Sequence, residues 1–225
     1  NRSPAWFPDG RAIAFASTRD GSSSVWKVSR LGGSASLLLE NADMPAVSPD
    51  GTRLAFARPG PSGLPRIWVA PLADPSRAER VTGDESGDWE HMDPAWSPDG
   101  KLLCYSAFSD LWLVSAAGGK ASRLTHDAEH DREPVFSPDG SFVLFSSSRS
   151  NPVSIWRVAL VGGVPERILP GTGTASQPSL ARDGRRLVFS TAVTHHYVVV
   201  ADRKTGNLSR IASSRNDAMP AMAPD

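Results

Sequence analysis

Two stretches of this chain concentrate side chains able to bind a ligand or move a proton. Residues 83–93 read Gly-Asp-Glu-Ser-Gly-Asp-Trp-Glu-His-Met-Asp, and residues 126–133 read His-Asp-Ala-Glu-His-Asp-Arg-Glu. Together they carry nine carboxylates: Asp84, Glu85, Asp88, Glu90, Asp93, Asp127, Glu129, Asp131 and Glu133. His91, His126 and His130 sit among them, and Arg132 is the one arginine. Three uses fit this composition. The carboxylates can cap turns on a solvated rim. They can form an acidic contact surface for a protein or peptide bearing basic or hydrogen-bond-donating groups. Or Asp93, Glu133 and a histidine can hold a divalent cation, calcium or magnesium with oxygen ligands, zinc or manganese if imidazole joins. No ligand spacing here is diagnostic, so no metal is assigned and no cofactor is expected.

Trp89 lies in the first stretch, flanked by polar residues. A bulky aromatic in such a setting either anchors a partner or folds back over its own chain. The candidate contact set is therefore Trp89, His91, Asp93, His130, Asp131 and Glu133.

Catalytic patterns are missing from the sequence. It has no Gly-x-Ser-x-Gly elbow, no Gly-x-Gly-x-x-Gly or Walker-type phosphate loop and no His-Glu-x-x-His pair. The single cysteine, Cys104, falls in the apolar run Leu102-Leu103-Cys104-Tyr105 and reads as a small buried hydrophobe. His195 and His196 are adjacent, and successive strand residues point to opposite faces, so they make a poor joint site. Lys plus Arg and Asp plus Glu balance at 24 each, which leaves no overall attraction to nucleic acid. No apolar stretch approaches the roughly 18 residues of a membrane span. The chain reads as non-enzymatic, with no signal-peptide pattern at Asn1.

What must position these residues is a repeat. Ser3-Pro-Ala-Trp-Phe-Pro-Asp-Gly10 returns as Met44-Pro-Ala-Val-Ser-Pro-Asp-Gly51, Asp93-Pro-Ala-Trp-Ser-Pro-Asp-Gly100, Glu133-Pro-Val-Phe-Ser-Pro-Asp-Gly140 and Gln177-Pro-Ser-Leu-Ala-Arg-Asp-Gly184. A last copy, Met219-Pro-Ala-Met-Ala-Pro-Asp225, stops one residue short of its glycine. The leading prolines are Pro4, Pro45, Pro94, Pro134, Pro178 and Pro220, and Trp26, Trp68, Trp112 and Trp156 keep the same beat. Each unit reads as four short strands: the Pro-Ala-Trp segment, a tight Ser-Pro-Asp-Gly turn, an apolar strand such as Leu102–Tyr105, the tryptophan strand, and a fourth strand after Gly-Gly. Strands this short cannot bury their faces alone, and radial four-stranded sheets solve that problem. The expected fold is an all-β propeller: one domain over 1–225 with blades starting near residues 4, 45, 94, 134, 178 and 220, five of them complete and the first strand of a sixth. A longer ring, of six or else seven blades, is expected in the parent protein, and the two carboxylate-rich stretches are read as polar connections preceding innermost strands, on one face around the mouth of its channel.

The pattern resembles the TolB-like family of WD-type propellers, whose innermost strands open with Pro-Ala-Trp-Ser-Pro-Asp-Gly. The resemblance covers essentially the whole chain. Departures are Leu180-Ala181-Arg182 in the fifth motif, Val199 in a tryptophan column, and Ala73-Asp74-Pro75 in place of Gly-Gly in the second unit. The resemblance implies a non-catalytic bacterial module in the periplasm or another extracytoplasmic setting, binding a protein or peptide partner at the channel mouth. Similar repeats also occur in cytoplasmic regulators. A second class stays open: the accessory propeller of a prolyl-oligopeptidase-like hydrolase, or a metal-dependent lyase.

Overall fold

The computed structural model describes residues 1–83, 89–126, 129–169, 173–193, 195–202 and 207–213. These residues form five four-stranded antiparallel sheets, each built from strands consecutive in sequence. Blade 1 comprises Arg2–Trp6, Ala12–Ser17, Ser24–Ser29 and Ser36–Leu39. Blade 2 comprises Asp43–Val47, Arg53–Pro59, Pro65–Pro71 and Glu79–Arg80; blade 3 comprises His91–Trp96, Leu102–Ala107, Asp110–Ser115 and Ser122–Arg123. Blade 4 comprises Asp131–Phe136, Phe142–Ser147, Ser154–Ala159 and Glu166–Arg167; blade 5 comprises Thr174–Leu180, Arg186–Val193, His195–Asp202 and Leu208–Ser213. The first strands of neighbouring blades pack side by side along a common axis. The expected all-β propeller with four-stranded blades is what forms. The sixth motif, residues 219–225, lies outside the described residues.

The Ser-Pro-Asp-Gly turn is held by its own side chains. Ser48 Oγ donates to Asp50 Oδ1 at 2.5 Å, Thr52 N donates to the same oxygen at 3.0 Å, and Arg53 N donates to Ser48 Oγ at 2.9 Å. Ser97 and Asp99, then Ser137 and Asp139, repeat the first of these bonds at 2.6 Å. The hydroxyl donor and the turn amide hold Asp50 and Asp139 down to about 2, so these exposed aspartates are structural anions. Gly51 has φ 71°, and a Cβ there would lie 3.2 Å from Cγ of Pro8 in the preceding blade. Glycine is needed for both the turn and the interlock.

Blades cohere through their faces. The second strand of blade 3 sends Leu103 and Tyr105 into a core with Ile67 and Val69 of blade 2, and Cys104 into a core with Val143 and Phe145 of blade 4. Side chains of this size stabilise by about 1.5–3 kcal/mol each when fully buried, so the faces outweigh any single strand contact. The tryptophan strand is the third of each blade, and an aromatic of the second strand faces it: Phe15↔Trp26, Phe56↔Trp68, Tyr105↔Trp112 and Phe145↔Trp156. Blade 5 departs, pairing Phe189 with Val199. No packing of blade 5 on blade 1 comparable to that of consecutive blades occurs among the described residues. Ile13, Phe15 and Val28, on the outer face of blade 1, are accordingly half-buried, where the matching residues of blades 2 to 4 are buried.

Candidate functional site

Proline cannot donate to a sheet ladder, and every first strand carries one. The chain resolves this with a β-bulge at each such proline, visible as a register shift in all five blades. The residue before each proline turns left-handed: Ser3 φ 51°, Met44 50°, Asp93 53°, Glu133 57° and Gln177 55°. These residues and their prolines line a central channel cavity of about 160 Å³. Left-handed backbone is costly for a residue with a Cβ, yet no glycine is used. The side chains explain why. Asp93 N donates to Met44 Sδ at 3.4 Å, the Asp93 carboxylate accepts from Glu133 N, and Gln177 N donates to Glu133 Oε2 at 2.6 Å. Three of the five bulge side chains, those of Met44, Asp93 and Glu133, thus satisfy a backbone donor of the next blade, and Ser106 and Ser146 donate to Asp93 and Glu133 from behind. Burial pushes both carboxyls above the ordinary carboxylate range, against the lowering effect of these donors.

The expected site residues therefore separate. His91 and Asp131, read from sequence as loop residues at the mouth, are strand residues only 0% and 1% exposed. His91 packs its ring 5.0 Å from that of Tyr105. Asp131 accepts two bonds from Arg149, at 2.9 and 2.7 Å, and the guanidinium lies over Phe145 and Trp156. Both belong to the wall. Their strands begin further ahead of the proline than the motif suggests, because the bulge lets pairing resume on its far side. Asp93 and Glu133 line the channel, and Trp89 and His130 are exposed at its rim. The mouth's expected acidity is largely turned inward among the described residues: Asp93 and Glu133 serve backbone amides, Asp131 serves Arg149, and Asp43 pairs with Arg2. Asp84, Glu85, Asp88 and Asp127 lie outside the described residues.

Two residues the sequence reading passed over complete the rim. Phe108 occupies the two-residue hairpin between Ala107 and Asp110 with φ 60°, a position where such turns favour glycine. It is 57% exposed, and its ring centroid lies 4.2 Å from that of Trp89, which is 46% exposed. Arg66, fully buried in blade 2, donates to the Trp89 carbonyl at 2.8 Å and fixes the approach of that segment. Below the two rings a recess of about 310 Å³ is lined by Glu90, Met92, Ser106, Ala107, Ser109, His130 and Arg132. An aromatic in a tight hairpin between two apolar strands was the available signal for Phe108.

A family model for the TolB beta propeller domain matches residues 40–225. The chain belongs to this family. It is 35% identical over 150 residues to a protein named TolB homolog from Chlorobium luteolum, which covers 64% of this chain and 33% of that protein. It is 29% identical over 197 residues to an uncharacterised protein of Agrobacterium fabrum, covering 83% of this chain and 64% of the relative. An uncharacterised peptidase of Bacillus subtilis is 32% identical over 64% of this chain, corresponding to 21% of the peptidase. The chain thus spans less than two thirds of these relatives. In fold, TolB of Agrobacterium tumefaciens superposes with a TM-score of 0.81 at 24% identity, covering 94% of this chain and 80% of that one. An oligogalacturonate lyase in complex with manganese superposes at 0.66 and 16% identity, covering 93% and 64%.

Among the described residues no three His, Cys, Asp or Glu side chains gather closely enough to hold a metal ion. Cys104 is fully buried, and that burial pushes its thiol well above the ordinary range. No described helix is long and apolar enough to cross a membrane.

Proposed function

We propose that this domain is a protein-binding propeller that grips its partner at the channel mouth, with Trp89 and His130 at the rim and Asp93 and Glu133 in the channel wall. One observation carries the reading. Among residues whose exposure is described, Trp89 and Phe108 are the only exposed aromatics, and they sit together over a recess at the mouth. Large aromatics grouped beside polar donors are the usual anchors of protein interfaces. The kinship with proteins named TolB supports a bacterial envelope setting, periplasmic or otherwise extracytoplasmic.

The test is site-specific photo-crosslinking in the native host, with the crosslinker at Glu90 on the rim or at Asp50 in a turn at the opposite end of the blades. A discrete partner captured from Glu90 and absent from Asp50 is the expected result. Equal capture from both positions, or none from either, overturns mouth binding. The relative named a peptidase favours one second reading, an accessory propeller of a hydrolase. In that case crosslinks from Glu90 go to a catalytic domain of the same polypeptide.

A further inference from the structure

We propose that the recess between blades 3 and 4 selects an acidic, apolar segment of the partner: a bulky apolar side chain set between Trp89, Phe108 and Met92, with a neighbouring carboxylate on Arg132. This rests on the mouth-binding reading and gives it a chemistry, opposite in charge to what the carboxylate-rich sequence of these stretches suggests.

The apolar half of the site is held in place from two sides. Phe108 keeps a left-handed φ of 60° in a two-residue hairpin while its ring stays mostly in solvent. An exposed aromatic gains little from burial in its own chain there, so the strained position is one that function can explain. Trp89 is held by the buried Arg66, which also donates to Pro65 O at 3.1 Å. The two rings meet at 4.2 Å with planes tilted by 35°, which leaves a ledge facing the recess. Met92 supplies an adaptable floor.

The polar half is cationic. Arg132 is exposed and forms no ion pair among the described residues; its guanidinium makes one weak contact, Nη1 to Met92 Sδ at 3.8 Å. Asp93 and Glu133 feel its charge through space, but their oxygens are engaged by serines and backbone amides. His130 stands beside Arg132, with Nδ1 3.3 Å from Ser109 Oγ. Glu90 is the recess's one described carboxylate outside the channel.

Met92 also borders a second recess of about 330 Å³, lined by Asn41, Asp43, Met44, Arg58, Pro59 and Pro65 among others. Arg58 there donates to the carbonyls of Asn41 and Glu40, not to a carboxylate. The two recesses meet over Met92, so an extended peptide can lie across the rim and meet at each end a guanidinium that has no carboxylate partner among the described residues. Each recess is at the small end of ligand pockets, which run roughly 300–1,000 Å³, and suits one or two side chains.

Selection of a random 12-residue phage-displayed library on the purified chain tests this directly. Enriched peptides are expected to place a large apolar residue beside Asp or Glu, and to bind Trp89→Ala and Phe108→Gly at least tenfold more weakly. Reselection on Arg132→Glu is expected to replace the acidic residue by Lys or Arg. Phe108→Gly relieves the left-handed strain, so its loss of binding cannot be laid to misfolding; circular dichroism confirms this. Peptides that crosslink to Glu90 but are basic, or are indifferent to these variants, overturn the recess and leave mouth binding standing. An empty selection, or peptides that crosslink only at Asp50, overturns both.

Discussion

Replacing Phe108 by glycine and by alanine gives a measurement of the strain stored at the rim. Phe108 has φ 60° in the hairpin Ala107-Phe108-Ser109-Asp110. A left-handed conformation costs an L-residue about 1–2 kcal/mol, and alanine keeps that cost in full. Glycine escapes it but brings about 0.5–1 kcal/mol of extra unfolded-state freedom. The balance favours glycine over alanine by roughly 0.7 kcal/mol. Both variants lose the ring contact with Trp89, worth about 0.5–1.5 kcal/mol, so glycine lands near wild type or slightly below and alanine lower still. In a domain of this length 1 kcal/mol moves Tm by about 2–4 °C, so the two variants are expected to separate by roughly 2 °C. Urea unfolding of both at equal m-value checks the same difference in midpoint. Alanine as stable as glycine, or more so, would refute the strained rim turn and remove the main structural argument for the recess.

Other outcomes follow from the channel wall and core. Burial raises the folded-state carboxyls of Asp93 and Glu133, so the folded chain holds these protons more tightly than the unfolded one. Their contribution to stability is then fully present below the ordinary carboxylate range and is lost as pH rises through the raised values. The double variant Asp93→Asn, Glu133→Gln is expected to gain in Tm over wild type at pH 7.5 and to lose that advantage towards pH 4; a variant equally destabilised at both pH values argues against it. Arg149→Ala strands the fully buried Asp131 carboxylate and is expected to cost about 3–5 kcal/mol, read by urea denaturation, whereas adding Asp131→Asn should recover much of the loss. Cys104 should react with a thiol reagent such as Ellman's only after denaturant is added, since its side chain is buried and its thiolate disfavoured.

The repeat was legible because its chemistry is local. Ser48, Asp50, Thr52 and Arg53 close the Ser-Pro-Asp-Gly turn among themselves, so the motif carries its own geometry wherever it recurs. The tryptophan column reported the third strand for a similar reason: an aromatic at a fixed distance from the turn meets the second strand in fixed register. Local pattern stops at the bulge. Spacing alone placed His91 and Asp131 with Asp93 and Glu133 in polar loops, yet two sit inside the wall and two line the channel. Which way each points depends on how the extra residue before the proline turns the strand. Arg66 and Trp89, Asp131 and Arg149, and Glu133 and Gln177 meet across 23, 18 and 44 residues. The recurring motif identified this chain as a propeller of four-stranded blades, and composition marked a carboxylate-rich pair of segments. Only the packing of blade on blade decided which of those charges are neutralised inside and which cations are left at the rim, because a charge's partner is set by distance in space and not by order along the chain.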